Sequence, residues 1–231
     1  MSVEYFDEQR RQLIAAIDAH TEQVATRIGK TALDRQVLKA MTKVPRHEFV
    51  PAEVQSFAYL DTPLPIGFGK TISQPFMVAV MTDLLELKPD DAVLEIGTGL
   101  GYQSAVLAEL AGRVYSVEII DELAQGAARR LKRQGYSNVD IRVANGYLGW
   151  PEHAPFDKVI VTAAPDLIPT PLINQLKAGG RMVIPVGLPD TQQLVLAEKD
   201  LNGRIATRDY AGPVLTAGGI RPAFVSDVLI R

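Results

Sequence analysis

The sequence predicts an α/β protein with a doubly wound, mostly parallel sheet and an N-terminal helical extension. From residue 93 onward, apolar runs alternate with stretches of helical periodicity, which is typical of βα units. The segment 156–164 is almost continuously apolar, as expected for a strand buried on both faces. A strand that runs into three alternate glycines, Gly97, Gly99 and Gly101, opens this alternation. In such sheets, ligands bind beyond the carboxyl ends of the strands.

Composition excludes several classes of function. The chain has 231 residues, enough for one domain with a buried core and an appended part. Its 27 acidic and 24 basic residues leave a formal charge of −3, which argues against nucleic acid or an anionic membrane surface as a partner. The sequence lacks cysteine, a signal-peptide core and any apolar run of membrane-spanning length. We therefore expect a cytoplasmic protein, and we favour a monomer.

Metal and thiol chemistry are not expected. The three histidines, His20, His47 and His153, are far apart and lack the short spacing of a metal-binding helix or knuckle. Without cysteine there is no disulfide, no thiolate nucleophile and no cysteine zinc site. The sequence therefore predicts no metal centre.

The N-terminal third is predicted to be helical and then irregular. Apolar residues at helical spacing predict an amphipathic helix over residues 4–28. A second helix is expected to begin at an N-cap, Thr31, and to end at Val44, before a proline. Residues 45–51 form a loop between two prolines, with Phe49 and Val50 expected to pin it to the core.

Residues 58–75 show no clear helical or strand period. Long irregular segments inside compact domains are usually functional loops, although prolines and glycines also serve simply to steer a chain across a surface. Pro75 leads into a helix predicted over residues 76–87, so Ser73 stands just before a helix N-terminus. We interpret Ser73 either as an N-cap or as part of a site, because a helix N-terminus also attracts carboxylates.

The remaining elements follow the βα alternation. Crossover helices are predicted over residues 102–111 and 121–135, and strands over 138–143 and 156–164. A helix end near residue 176, a turn at Gly179 and Gly180, and a strand to residue 187 are expected next. Closing strands are predicted over residues 193–198 and 203–210.

The glycine turn carries the first functional signal. Alternate glycines let the backbone approach a ligand closely and adopt conformations that a Cβ would forbid. Glu118 ends a second short strand about 20 residues after Gly97, where a ribose-binding acid is expected. These two stretches predict a site for an adenosine moiety, with a plain strand-to-helix connection as the alternative. The G-x-G-x-G spacing differs from the dinucleotide fingerprint, so a nicotinamide dehydrogenase is the weakest reading.

Several motifs resemble the protein-L-isoaspartate (D-aspartate) O-methyltransferases, which are S-adenosylmethionine-dependent repair enzymes. The resemblance extends from roughly residue 10 to residue 200, and its motifs are Val-Pro-Arg-His-Glu-Phe-Val-Pro (44–51), Pro-Leu-Pro-Ile-Gly (63–67), Thr-Ile-Ser-Gln-Pro (71–75), Leu-Glu-Ile-Gly-Thr-Gly (94–99), Gly-Trp-Pro (149–151) and Ala-Pro-Phe-Asp (154–157). The glycine turn indicates only the methyltransferase superfamily, whereas the Thr-Ile-Ser-Gln-Pro motif is specific to this family. The resemblance implies a class I, Rossmann-like methyltransferase fold.

The resemblance also implies a site. Residues 1–75 would supply helices and a loop covering substrate and cofactor, and residues 76–231 the methyltransferase domain, the two forming one compact unit. S-adenosyl-L-methionine would be the cofactor, S-adenosyl-L-homocysteine the product, and isoaspartyl proteins and peptides the partners. Ser73 would be the catalytic residue, and the methyl ester formed would close to a succinimide. The cofactor-binding residues would be Thr71, Ile72, Ser73, Gly97, Thr98, Gly99, Glu118, Asn145 and Gly146, with Glu118 at the ribose and Asn145 and Gly146 beside the adenine.

Departures from the family pattern, among them Leu100 at a position that is commonly small, leave alternatives open. Lys70 stands where the family usually has glutamine, and Asn145 where it usually has aspartate. Residues 212–231 do not match the family's usual closing segment. One alternative is therefore an S-adenosylmethionine-dependent O-methyltransferase acting on a small-molecule carboxylate or on a dedicated protein. A second alternative is a non-catalytic cofactor-binding module.

Overall fold

In the computed structural model, which describes residues 3–188 and 192–210, a seven-stranded sheet carries most of the α-helices on one face and the short helix Thr170–Gln175 on the other. Alternate strand residues enter two separate apolar clusters, one on each face of the sheet. The helices are α1 (Val3–Gln23), α2 (Ala25–Ile28), α3 (Arg35–Lys43), α4 (Pro75–Leu85), α5 (Tyr102–Ala108), α6 (Asp121–Arg133) and α7 (Thr170–Gln175). The strands are β1 (Leu64–Gly67), β2 (Lys70–Ile72), β3 (Ala92–Ile96), β4 (Arg113–Glu118), β5 (Val139–Val143), β6 (Phe156–Val161), β7 (Leu176–Val186), β8 (Gln193–Lys199) and β9 (Ile205–Tyr210).

The order of strands in the large sheet is β5-β4-β3-β6-β7-β8-β9. Strands β3 to β7 are parallel, and β8 and β9 add antiparallel partners at one edge. The chain moves outward from β3 to β5 and then returns to pair β6 with the other side of β3. This reversal is the switch point at which doubly wound sheets bind ligands. The predicted fold class is confirmed.

The N-terminal helices pack into the larger apolar cluster. Leu13 and Ile17 of α1 and Met41 of α3 share this cluster with Phe76 of α4 and with Val93 of the central strand. Phe49 and Val50 are buried, as the sequence predicted. A division of the chain at residue 75 stays a prediction.

Several local predictions are wrong. The first helix breaks into α1 and α2 near Val24, and α3 begins after Asp34, whose Oδ1 accepts a hydrogen bond from Gln36 N at 2.7 Å. Asp34 rather than Thr31 is therefore the N-cap, which places the helix start three residues later. Residues 58–75 are not irregular throughout, because β1 and β2 form an antiparallel hairpin there.

A further error concerns β7, which begins at Leu176 directly after α7 and continues through the predicted glycine turn. A Cβ at Gly180 would lie 2.8 Å from the carbonyl oxygen of Asp157 in β6. A glycine there lets the strand pass this carbonyl, and the pairing of β6 with β7 shifts register at the same place. The divergent segment 212–231 lies outside the described residues. Within the described part of the chain, no helix has both the length and the apolar character needed to span a membrane.

The N-cap of α3 gives a stability prediction with a built-in control. Asp34→Ala removes the acceptor for Gln36 N and is expected to lower the free energy of unfolding by about 1 kcal/mol. Thr31→Ala, at the exposed position that the sequence favoured, is expected to change it by less than about 0.5 kcal/mol. Urea denaturation followed by circular dichroism measures both. Equal losses in the two variants would contradict the assignment of the cap.

Candidate active site

The site lies where four neighbouring parallel strands end. Gly97 directly follows β3, and its N–H donates to the carbonyl of Val117 in β4 at 2.8 Å. Thr162 directly follows β6, and its N–H donates to the carbonyl of Ile96 at 2.9 Å. Glu118 is the last residue of β4. The glycine turn and the strand that ends at Glu118, the two stretches on which the sequence prediction depends, therefore lie together at the carboxyl edge of the sheet.

The glycine turn needs glycine for conformation and for space. Gly97 has a φ of 97°, and a Cβ on it would lie 2.3 Å from Oγ1 of Thr162. That hydroxyl donates to the carbonyl of Gly97 at 2.8 Å, so Thr162 locks the turn against β6. Gly99 and Gly101 also have positive φ values, of 55° and 90°. An alanine at Gly97 would be strained and would clash, so the close approach is built into the backbone.

Glu118 holds the turn from the neighbouring strand. Its Oε2 accepts a hydrogen bond from Gly99 N at 2.8 Å, and its Oε1 accepts from the backbone N–H groups of Ile119 and Ile120 at 2.9 and 3.0 Å. The residue is 5% exposed. A carboxylate has about four acceptor positions, so three backbone donors leave room for a further donor such as a ribose hydroxyl.

Asn145 and Gly146 lie at the same edge, beyond β5. Oδ1 of Asn145 accepts from Tyr147 N at 2.9 Å and so caps the short 3₁₀ helix Gly146–Leu148. A Cβ at Gly146 would lie 2.4 Å from Cγ2 of Ile96, the last residue of the central strand. Glycine therefore allows this turn to pack directly on β3.

The hairpin β1–β2 covers the glycine turn. The Cδ1 of Ile66 in β1 lies 3.8 Å from the position that a Cβ on Gly99 would occupy. Thr71 and Ile72 of β2 pair with Pro65 and Leu64 of β1, so they belong to the element that touches the turn. Thr71 is half-buried and Ile72 is buried.

Ser73 leaves this hairpin as a half-buried residue just before α4. The interpretation of Ser73 as the N-cap is wrong. Gln74 occupies the cap position without a side-chain cap bond, and Oδ1 of Asp61 accepts from Phe76 N at 2.8 Å instead. The serine hydroxyl is therefore not needed to satisfy the helix start.

A buried network behind the turn escaped the sequence analysis. Oε2 of Glu95 accepts hydrogen bonds from the hydroxyls of Ser104 and Ser116, the latter at 2.5 Å. Ser116 also bonds the hydroxyl of Thr98 at 2.6 Å, so Thr98 is directed into the protein. Burial raises the pKa of Glu95 to about 7, with a further increase from the charge of Glu118, although the serine hydrogen bonds oppose the rise. The sequence does contain one indication of this network, because Glu95 is a carboxylate inside an otherwise apolar strand.

This carboxyl group makes stability depend on pH. The folded pKa of Glu95 is above its ordinary value of 4.5, so the folded protein holds the proton more tightly than the unfolded chain. The corresponding stability is present at low pH and is lost as the pH rises through about 7. From about pH 5 to pH 8, we expect the free energy of unfolding of the wild type to fall by about 2.5 kcal/mol relative to Glu95→Gln. Denaturation curves of the two proteins across this range measure the difference, and parallel pH profiles would contradict it.

The chemistry of the edge fits an adenosyl cofactor. The glycine backbone offers a close approach, and the remaining acceptor capacity of Glu118 suits ribose hydroxyls. Ile119, Tyr147 and Leu148 are exposed apolar side chains in the segments after β4 and β5, and they suit the face of a purine ring. Fold and site together define a class I S-adenosylmethionine-dependent methyltransferase.

Comparisons with known proteins identify the family within this class. The sequence model of the protein-L-isoaspartate (D-aspartate) O-methyltransferase family matches residues 19–215, and the chain belongs to this family. A protein-L-isoaspartate O-methyltransferase 1 from a Polaromonas species is 66% identical over 204 residues, which cover 88% of this chain and 86% of that protein. A protein-L-isoaspartate O-methyltransferase 2 from Syntrophobacter fumaroxidans is 58% identical over 200 residues, covering 86% and 81% of the two chains.

Solved structures agree with this assignment. A protein-L-isoaspartate O-methyltransferase superposes with a TM-score of 0.72 at 30% identity, covering 83% of this chain and 60% of that chain. A Plasmodium falciparum structure, described as a protein-L-isoaspartate O-methyltransferase in complex with S-adenosyl-L-homocysteine, superposes with a TM-score of 0.68 at 26% identity. It covers 83% of this chain and 93% of that chain. The likeness therefore includes the N-terminal elements as well as the sheet.

Proposed function

We infer that this chain is an S-adenosylmethionine-dependent protein-L-isoaspartate O-methyltransferase. It transfers a methyl group to the α-carboxyl of L-isoaspartyl residues in damaged proteins or peptides. The observation that carries this inference is the packing of the hairpin with the family's Thr-Ile-Ser motif over the glycine turn, in a chain 66% identical to a named relative.

The reaction asks for positioning rather than for acid–base catalysis. An α-carboxyl group has a reference pKa near 3.5, so it is already ionised at neutral pH and needs no general base. S-adenosylmethionine, when bound, supplies an activated methyl group with its own leaving group. The protein then has to hold the carboxylate oxygen about 3 Å from the methyl carbon, in line, and to exclude water from a weak nucleophile.

The roles of individual residues are part of the proposal. Glu118 would bind the ribose hydroxyls, and Gly97 to Gly99 would lie along the methionine end of the cofactor. Asn145 and Gly146 would lie beside the adenine. Thr71, Ile72 and Ser73 would cover the sulfur, and the hydroxyl of Ser73 would orient the substrate carboxylate by donating a hydrogen bond. The positions of Gly97, Glu118 and Gly146 at one edge of the sheet support the assignment.

Removal of the serine hydroxyl tests its role. Ser73→Ala is expected to lower kcat for an isoaspartyl peptide about 10- to 100-fold, because a hydrogen bond to a charged group contributes about 1.5–3 kcal/mol. The dissociation constant for S-adenosyl-L-homocysteine should change by less than about twofold, since the cofactor contacts remain. Methyl-transfer kinetics and calorimetry measure the two quantities. Unchanged kcat would remove Ser73 from the mechanism.

The identity of the acceptor is tested with a matched pair of peptides. An isoaspartyl peptide should be methylated and its normal-aspartyl twin should not. Methylation of neither peptide, with retained binding of S-adenosyl-L-homocysteine, would favour the alternatives of another carboxylate acceptor or of a non-catalytic module.

The ribose contact gives a separate binding prediction. Glu118→Gln keeps one oxygen acceptor but loses the negative charge, so it is expected to weaken binding of S-adenosyl-L-homocysteine about tenfold. Glu122→Gln, at an exposed position in the first turn of α6, removes the same charge nearby and is the control. Isothermal calorimetry measures both affinities, and equal values would contradict a direct role of Glu118.

We further propose that the protein acts as a monomer in the cytoplasm, without nucleic-acid partners. The absence of cysteine and the slight negative charge support this setting. Size-exclusion chromatography with light scattering tests the oligomeric state.

A further inference from the structure

A buried arginine from the N-terminal part of the chain holds the backbone of Ser73. Nη2 of Arg46 donates to the carbonyl oxygen of Ser73 at 2.7 Å, and Nε of the same side chain donates to the carbonyl of Ala58 at 2.9 Å. Arg46 is fully buried, and its Nη1 has no hydrogen-bond partner in the described part of the chain. Burying a guanidinium on neutral carbonyls is costly, so the position calls for an explanation beyond filling space.

The same arginine connects the serine to the cofactor side of the site. Its guanidinium carbon lies 4.8 Å from the ring centroid of Tyr102, the first residue of α5. Tyr102 directly follows Gly101 and is itself buried. The planar guanidinium therefore contacts both Ser73, two residues before α4 begins, and Tyr102, at the start of the helix that follows the glycine turn.

Asp61 holds the residues that follow Ser73. Its Oδ1 accepts from Phe76 N at 2.8 Å, and its Oδ2 accepts from Nε2 of Gln74 at 3.1 Å. The same amide group of Gln74 donates to the backbone carbonyl of Asp61 at 3.1 Å. The second oxygen also faces Nδ1 of His20 at 3.3 Å. Arg46 therefore makes one contact to the backbone of Ser73, and Asp61 makes three contacts to Gln74 and Phe76, which follow it.

We propose that Arg46 and Asp61 are positioning residues that fix the carbonyl of Ser73 and the two residues Gln74 and Phe76 that follow it, and thereby aim the hydroxyl of Ser73 at the substrate carboxylate. Arg46 fixes the carbonyl of Ser73 relative to α5, and Asp61 fixes the start of α4. The proposal rests on the function inferred above. It adds two residues that touch neither cofactor nor substrate but determine the geometry of the residue that does.

The first test compares arginine substitutions. Arg46→Lys keeps the charge but lacks the planar fork that reaches two carbonyls, and Arg46→Met removes both charge and donors. Each is expected to lower kcat for an isoaspartyl peptide at least tenfold, with KM and the dissociation constant for S-adenosyl-L-homocysteine within about threefold of wild type. Lysine is included because the methionine variant has the greater chance of failing to fold.

Arg10→Met is the matched control. Arg10 also donates to a carbonyl, that of Thr42 at 2.8 Å, and its guanidinium carbon lies 5.7 Å from the ring centroid of Tyr59. Among the described residues, it makes no hydrogen bond or ion pair with Ser73 or α5. Its loss should change the thermal melting point but leave kcat within about twofold of wild type. A kcat loss in Arg10→Met equal to that in the Arg46 variants would reduce Arg46 to a general support of the fold and overturn the proposal.

A double-mutant cycle separates positioning from structural support. Ser73→Ala keeps the backbone carbonyl that Arg46 binds, so it removes only the hydroxyl. If Arg46 acts through that hydroxyl, adding Ser73→Ala to Arg46→Lys should lower kcat by less than about threefold beyond Arg46→Lys alone. A full multiplication of the two losses would show that Arg46 acts by another route.

The role proposed for Asp61 is tested with its own matched control. Asp61→Asn has one oxygen in place of two and cannot accept from both Phe76 N and Gln74, so kcat should fall about tenfold or more. Asp157→Asn is matched to it, because Asp157 accepts from Ala92 N at 2.9 Å, at the start of β3 and away from the site. Equal kcat values in these two variants would remove Asp61 from the positioning of Ser73.

Amide hydrogen exchange gives a readout that does not depend on activity. Arg46→Lys and Asp61→Asn should accelerate exchange in the peptide covering residues 71–77 at least tenfold, whereas Arg10→Met should not. Accelerated exchange in an enzyme that methylates no isoaspartyl peptide would uphold the positioning of Ser73 by these residues and reject the proposed function. Unchanged exchange and kcat in an enzyme that does methylate the peptide would reject the positioning role alone.

Discussion

The hydrogen bond from Gly99 N to the carboxylate of Glu118 joins the glycine turn to the end of the neighbouring strand. It depends on the parallel pairing of β3 with β4, which brings the two strand ends to the same edge of the sheet. Glu118 is buried, and three backbone N–H groups donate hydrogen bonds to its carboxylate. The carboxylate therefore shapes the glycine turn before any ligand binds, which is the preorganisation that a positioning enzyme requires.

Buried ionisable groups lie near this edge, and burying them costs some stability. Glu95 lies beneath the turn with a raised pKa, and Arg46 lies behind Ser73 on neutral carbonyls. Desolvation also lowers the pKa of Arg46, although the charges of Tyr102 and Asp61 act in the opposite direction. Perturbed and incompletely paired groups concentrate at functional sites, because the surrounding fold holds them in place. In this protein, Glu95 and Arg46 hold two short connections in fixed positions: the glycine turn and the segment before α4.

The errors of the sequence analysis have physical causes. The strands of the hairpin have four and three residues, too few for a period of two to appear, and Pro65 and Gly67 resemble loop residues. Thr31 and Asp34 are both acceptable caps, and the choice between them depends on contacts with Asp83, which accepts from Asp34 N at 2.7 Å. The glycines in β7 resemble a turn unless the carbonyl of Asp157 beside Gly180 is known.

By itself, the sequence determined the βα alternation, the glycine turn, the acid at the end of the next strand and the family motif that contains Ser73. These features are local, since they depend on periodicity and on residue types at short spacing. Only the tertiary structure decided that Ile66 covers Gly99, that Thr162 locks Gly97, and that Arg46 holds Ser73. Such contacts join residues that are 27 or more positions apart. They leave no periodic pattern in the chain, because they depend on how the sheet and the hairpin pack together.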